Sequence, residues 1–240
     1  MKSIFTKIIY ILFLLPAFQI SGQTVLLEEN VKEFFEYKSQ SGPNLKNYAH
    51  WYLEIGWFVD KVSGDSVEVN YGKTHTFTAG YRYKRKLTNW YAIGGDIQYG
   101  RLSYSIKQNE VKAFPTTDIH KRENFIVNNI GAELYQRINI GKRGNAIGKY
   151  IDMAAYGNWG FNIRHFYEDK LDVANLYHAK QVKVRNKNLN YAIPYNYGVR
   201  IRIGIERYAF SVTYRLSELL DDTYDFEFPR ISLGIQIGLF

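Results

Sequence analysis

Nine charged residues sit on the polar side of alternating apolar–polar stretches: Glu54, Asp96, Glu133 and Asp152, with Arg82, Arg137, Arg200, Arg202 and Arg215. Charges in that setting can do one of two things. Paired with one another, they fill an enclosed interior, because a buried ion needs a partner. With water among them, their arginine excess would make a narrow, anion-preferring pore. A second group of acids, Asp221, Asp222, Asp225 and Glu227, shares the segment Ser217–Pro229 with Glu218. Clustered carboxylates suit a hard divalent cation, or a partner's contact. The plainer reading is a solvated acidic loop, or one that pairs with basic neighbours such as Lys183 and Arg185.

Acid–base chemistry would need a histidine held near a serine or an acid. His75, His120, His165 and His178 are available, but no spacing links them to either. His165 is the best placed of them, and no catalytic residue is assigned. There is no phosphate loop, no metal-ligand spacing and no dinucleotide motif, so neither a metal nor a cofactor is expected.

The elements that must carry these charges are strands. Eight segments alternate with a period of two, which turns successive side chains to opposite faces. They are Tyr48–Asp60, Thr74–Lys84, Trp90–Ser105, Asn124–Ile138, Tyr150–Arg164, Tyr195–Ile205, Tyr208–Leu216 and Arg230–Phe240. In the sixth, Tyr197, Val199, Ile201 and Ile203 oppose Gly198, Arg200, Arg202 and Gly204. Connections alternate in length. Arg85–Asn89, Asn139–Lys149 and Glu206-Arg207 are short, whereas Lys61–Lys73, Ile106–Glu123, His165–Leu189 and Ser217–Pro229 are long. Weak alternation around Gln181–Arg185 leaves room for a protruding hairpin, and so for ten strands.

The remaining composition bounds the setting. Lys2 and Lys7 precede an apolar run from Ile8 to Phe18, and Ile20-Ser21-Gly22 offers a cleavage site, so residues 1–22 read as an export signal. Residues 23–46 do not alternate and read as a periplasmic segment. Residues 47–240 form the barrel. With no cysteine, the fold must hold without disulfides. The formal charge of +8 suits nucleic acid or anionic lipid, and export favours the lipid.

The apolar face alone does not distinguish a soluble eight-stranded barrel, greasy inside, from a membrane barrel, greasy outside. The opposite face does. It carries the nine charges and many glycines, a poor filling for a soluble barrel and a good one for a membrane barrel. Trp51, Trp57, Tyr83, Trp90, Tyr91, Tyr150, Tyr195 and Tyr208 then read as interfacial anchors. The expectation is an all-β, eight-stranded, antiparallel, up-and-down transmembrane β-barrel.

With its signal, its eight segments, the turn from Arg137 to Asp152 and the terminal Phe240, the chain resembles small outer-membrane β-barrel families. Its architecture is OmpA/OmpX-like, and it is most similar to PorT-like barrel proteins of Bacteroidota. The resemblance covers about residues 46–240. It implies an outer-membrane location in a Gram-negative bacterium, with both termini periplasmic. It also implies insertion by the barrel assembly machinery through the last strand, ending at Phe240. That residue falls in register with Gly238 and Gln236, whereas the usual signal has its final aromatic on the lipid face. The expected partners are outer-membrane lipid, lipopolysaccharide at the basic loops, and an unidentified protein. The expected role is non-enzymatic, an envelope structural or interaction protein. The alternatives are a secretion accessory, a narrow pore and a lipid-modifying enzyme.

Overall fold

The computed structural model describes residues 41–239, apart from 65–66, 143 and 172–179. The signal segment, most of the segment that follows it, and Phe240 lie outside the described residues. Among the described residues there are nine strands: β1 (Asn47–Phe58), β2 (His75–Lys86), β3 (Tyr91–Ile106), β4 (Arg122–Ile140), β5 (Lys149–Lys170), β6 (Gln181–Lys187), β7 (Tyr195–Ile205), β8 (Tyr208–Arg215) and β9 (Ile231–Leu239). All neighbours pair antiparallel in one sheet. Eight strands close into a ring, because β9 pairs with both β8 and β1, and β4 pairs with β5. Closure gives every ring strand a partner on both edges, which suits a chain with no cysteine to staple it.

β6 stands outside the ring and pairs only with the far end of β5, from Arg164 to Lys170. Among the described residues the expected protruding hairpin is thus present and adds one strand to the ring of eight. That strand pairs with the part of β5 that extends beyond the ring.

The period-two pattern sets the faces. On β7, residues alternate between exposed and buried along its whole length. Outward side chains are apolar and open: Leu134 is 74% exposed, Ile97 69% and Ile203 57%. Inward side chains are polar and buried. The tight Glu206-Arg207 turn places Glu206 at a φ of 53°, the left-handed conformation that a two-residue hairpin requires. The Glu206 carboxylate accepts the Gly148 N–H at 3.1 Å.

Two ends result. The short turns lie at one end, where Ser41–Lys46 is tied across the ring's mouth. Lys84 Nζ donates to the Pro43 carbonyl, and Asn44 Nδ2 donates to the Gly144 carbonyl at 2.7 Å. The long connections fold over the other end. There a hydrophobic cluster closes the interior, built from Phe58, Tyr104, Phe114, Phe125, Phe226, Phe228, Leu219 and Leu220.

Candidate functional site

The interior is layered. Inward positions on β2, β3, β4, β5 and β7 meet at mid-height, because paired residues share a face: Arg82 stands opposite Asp96, Asp96 opposite Glu133, and Arg137 opposite Asp152, itself opposite Arg202. Arg137 grips Asp152 with two parallel bonds, Nε to Oδ1 at 2.7 Å and Nη2 to Oδ2 at 2.8 Å. Arg82 donates from Nε and Nη2 to Asp96 Oδ2 at 3.0 and 2.8 Å. Glu133 is the hub. It accepts from Arg200 Nη1 at 2.8 Å, bonds Arg202 Nη2, and lies 3.8 Å from Arg82. Such forked pairs are the strong form of charge-assisted bonding.

Aromatic faces complete the arginines' surroundings. Tyr52 lies 4.3 Å from the Arg82 guanidinium, and Tyr150 lies 3.7 Å from that of Arg137. The rings of Tyr52, Tyr135, Tyr150 and Tyr156 lie over glycines. A Cβ on Gly94 would come within 2.5 Å of Tyr135, and one on Gly204 within 2.1 Å of Tyr150. Tyr150 is thus a lumen residue and not an interfacial anchor, because it shares its register with Asp152.

Above this layer runs a relay of amides. Tyr52 donates to Gln98, Gln98 to Asn158 and Asn158 to Asn196, at 3.0–3.1 Å. A cavity of about 40 Å³ remains beside it, lined in part by Glu54, Asn129, Arg200 and Thr213. That is room for two or three waters.

All nine sequence-assigned lumen charges are buried on the inward face. Two of their expected partners are not the observed ones. Glu54 forms no ion pair among the described residues and accepts the Ser211 hydroxyl at 3.1 Å. Arg215 reaches past the strand acids to Glu227, at 2.8 Å. The reading of Ser217–Pro229 as a solvated acidic loop, or one paired with basic neighbours, is corrected at Glu227, which is buried and paired with a strand arginine. Glu227, Phe226 and Phe228 are buried, and Glu227 also accepts the Leu219 and Phe228 N–H groups. Glu218, Asp222 and Asp225 are exposed, with Glu218 3.3 Å from Arg230, and Asp221 is half-buried and bonded to the Thr223 N–H. Among the described residues no group of three or more acids and histidines could hold a metal ion. Glu227 also cancels the arginine excess: each of Arg82, Arg137, Arg200, Arg202 and Arg215 now has a carboxylate to set against it.

The histidines, unlinked in sequence, do acquire acids. His165 Nε2 lies 2.7 Å from Glu123 Oε1 beneath the Phe114 ring, and Glu123 is also bonded by Lys112 and Gln108. Lys112 is consequently a buried anchor and not a surface cation. Burial pushes the Glu123 carboxyl up, but the contacts with His165, Lys112 and Gln108 outweigh it and hold the group below its ordinary value. His120 Nδ1 lies 2.9 Å from Asp169 and stacks on Tyr167 at 4.2 Å. Period two could not have found them: carried on from Trp159 and Phe161 it puts Ile163 and His165 on the outward face, and the register shift at Asn128/Asn129 turns them inward. Lys183 and Arg185 lie exposed on β6, with Lys183 3.7 Å from Glu168.

No family model and no curated protein matches this chain.

Proposed function

We propose that the chain is a non-enzymatic outer-membrane β-barrel, closed along its lumen, that acts as an envelope structural or interaction protein through its long-loop end. One observation carries the reading. The ring exposes Leu, Ile, Val, Trp and Tyr outward while burying Arg, Asp and Glu inward, the inverse of a water-soluble barrel. Exposed apolar surface on this scale needs a hydrocarbon solvent. Trp51, Trp90, Tyr195 and Tyr208, open and near strand ends, suit the water–lipid boundary.

The lumen supports a structural role over a pore. Its arginines are engaged by carboxylates, its cavity is small, and aromatic rings close the long-loop end. The His165–Glu123 pair, packed under Phe114, supports an anchoring role over catalysis. On this reading the termini face the periplasm, the last strand enters through the barrel assembly machinery, and the exposed cations of the long-loop end meet lipopolysaccharide.

Cell fractionation with heat-modifiable gel mobility tests the reading. The expected result is an outer-membrane protein that shifts on boiling; a soluble protein with no shift overturns it. Planar bilayers should stay silent, and stable unitary currents would overturn the closed lumen.

A further inference from the structure

Between Trp159 and Arg164, β5 changes neighbours. Its ladder with β7 ends at the Trp159–Tyr195 pair, and its ladder with β6 begins at the Arg164–Lys187 pair. Phe161, Asn162 and Ile163 fall between the two ladders. On the other side of β5, the ladder with β4 carries a register shift at Asn128/Asn129, which leaves Phe161 unpaired there as well. The seam between β5 and β7 parts at this point, beyond a last bond from the Gly160 N–H to the Pro194 carbonyl at 2.6 Å. A groove of about 580 Å³ opens beside the bulge, lined by Phe161, Ile163, Lys187, Leu189, Ala192 and Pro194 among others. Ile163, Leu189 and Ala192 also pack against the aromatic cap and give the groove an apolar side, and Asn162, Asn188 and Asn190 give it a polar one. Lys187 is the only charged residue that lines it.

At its loop-side end stands an unfavourable pair. Arg164 and Lys187 face each other directly across the β5–β6 ladder. Like charges so placed destabilise a sheet. Neither forms an ion pair among the described residues. Glu168, four residues along β5, is taken by Lys121 at 2.6 Å and Lys183 at 3.7 Å, and Asp169 is taken by His120. Arg185, on the same face of β6 as Lys187, is exposed as well. An anion between Arg164 and Lys187 would offset their repulsion. Towards the short-turn end, the groove continues onto the outward rings of Trp159, Tyr195 and Tyr197, which are all exposed.

We infer that this groove is a binding site for a phosphate-bearing lipid. The phosphate sits between Arg164 and Lys187, and one acyl chain lies in the groove along Phe161 and Pro194. The inference rests on the membrane reading above. It commits to a lipid because the cations adjoin the apolar side of the groove, Phe161, Ile163, Leu189, Ala192 and Pro194, which leads on to the exposed rings of Trp159, Tyr195 and Tyr197, in the order of headgroup and hydrocarbon in a bilayer.

The test uses the full chain folded in uncharged micelles. Phosphatidylglycerol and phosphatidylcholine with identical acyl chains are titrated in, and bound lipid is read by native mass spectrometry. Phosphatidylglycerol should be retained preferentially. Arg164→Gln and Lys187→Gln should each weaken it about fivefold, the worth of one cation near a headgroup. Lys107→Gln, at a remote exposed cation, should change nothing. Asn190→Trp, which fills the groove from an exposed position, should displace lipid without removing a charge. Equal retention of both lipids, or equal effects of Lys187→Gln and Lys107→Gln, overturns the site. Displacement by millimolar inorganic phosphate overturns the lipid assignment, because it leaves the chain no role. Heat-modifiable mobility of the same samples separates the two readings. A folded barrel without lipid preference sinks only this site, and a chain that never inserts sinks both.

Discussion

At mid-height the ring interior is filled by Arg82, Arg137, Arg200 and Arg202, meshed with Asp96, Glu133 and Asp152. At the long-loop end the same enclosure is filled by Phe58, Tyr104, Phe114, Phe125, Phe226 and Phe228. Both fillings are buried, but they bind the structure differently. The charge mesh joins strands directly: Arg200 and Glu133 lie 67 positions apart in sequence, and Arg82 and Gln236 lie 154 apart. The aromatic cap joins loops to the ring instead, and Phe114 comes within 6.1 Å of five other aromatic rings and His165. The mesh is directional and fails if one member is lost. The cap is non-directional and loosens by degrees.

That contrast can be broken most forcefully at Glu133. Glu133→Leu strands Arg82, Arg200 and Arg202 in a buried interior and should cost about 3–5 kcal/mol, read as a lower urea midpoint for the whole ring. A midpoint near wild type would mean the mesh is not what holds the strands. Phe114→Ala should cost about 3 kcal/mol through its cavity, but in the loops alone. Limited proteolysis should speed up at the long-loop end while heat-modifiable mobility persists. If both changes unfold the ring equally, the two fillings form one cooperative unit.

The mesh prediction sharpens with a paired replacement. Arg137→Met with Asp152→Leu removes both charges and should be close to neutral, whereas Asp152→Leu alone should resemble Glu133→Leu. The same urea series reads both variants.

Acid should separate the regions as well. Glu123 is held below its ordinary value of 4.5 in the folded chain. A depressed carboxyl contributes stability that is fully present above the unfolded value and is lost as pH falls through the folded one. Amide-exchange protection around His165 and Lys112 should therefore hold at pH 7 and fall below pH 4.5, and Glu123→Gln should remove that acid limb. The smallest effect belongs to the exposed Lys107–Glu68 pair, 2.8 Å apart, both half open to solvent. Lys107→Ala should leave the urea midpoint unchanged, because solvent screens such pairs.

Much of the fold was legible because strand periodicity is local. Eight alternating segments and their inward charges follow from residue order, since each side chain's face depends only on its position within its own strand. The exception among the rings, Tyr150, shows the same rule: register with Asp152 outweighed nearness to a strand end. Partners were not legible. Glu227 reads as one acid in an acidic run, and only the folding of the Ser217–Pro229 connection over the mouth brings it to Arg215. His165 and Glu123 are 42 residues apart, and the β4–β5 ladder sets them within reach of each other. β6 left a weak trace, two valines among charges, because an edge strand outside the ring needs no greasy face.

By itself, then, the sequence determined which side chains point in and which point out, because that choice is made strand by strand. Only the tertiary structure decided which charge answers which, how the long connections close the mouth, and where the seam between β5 and β7 parts beside Phe161. Those depend on how distant strands come to be neighbours when the ring closes, and no local pattern encodes that.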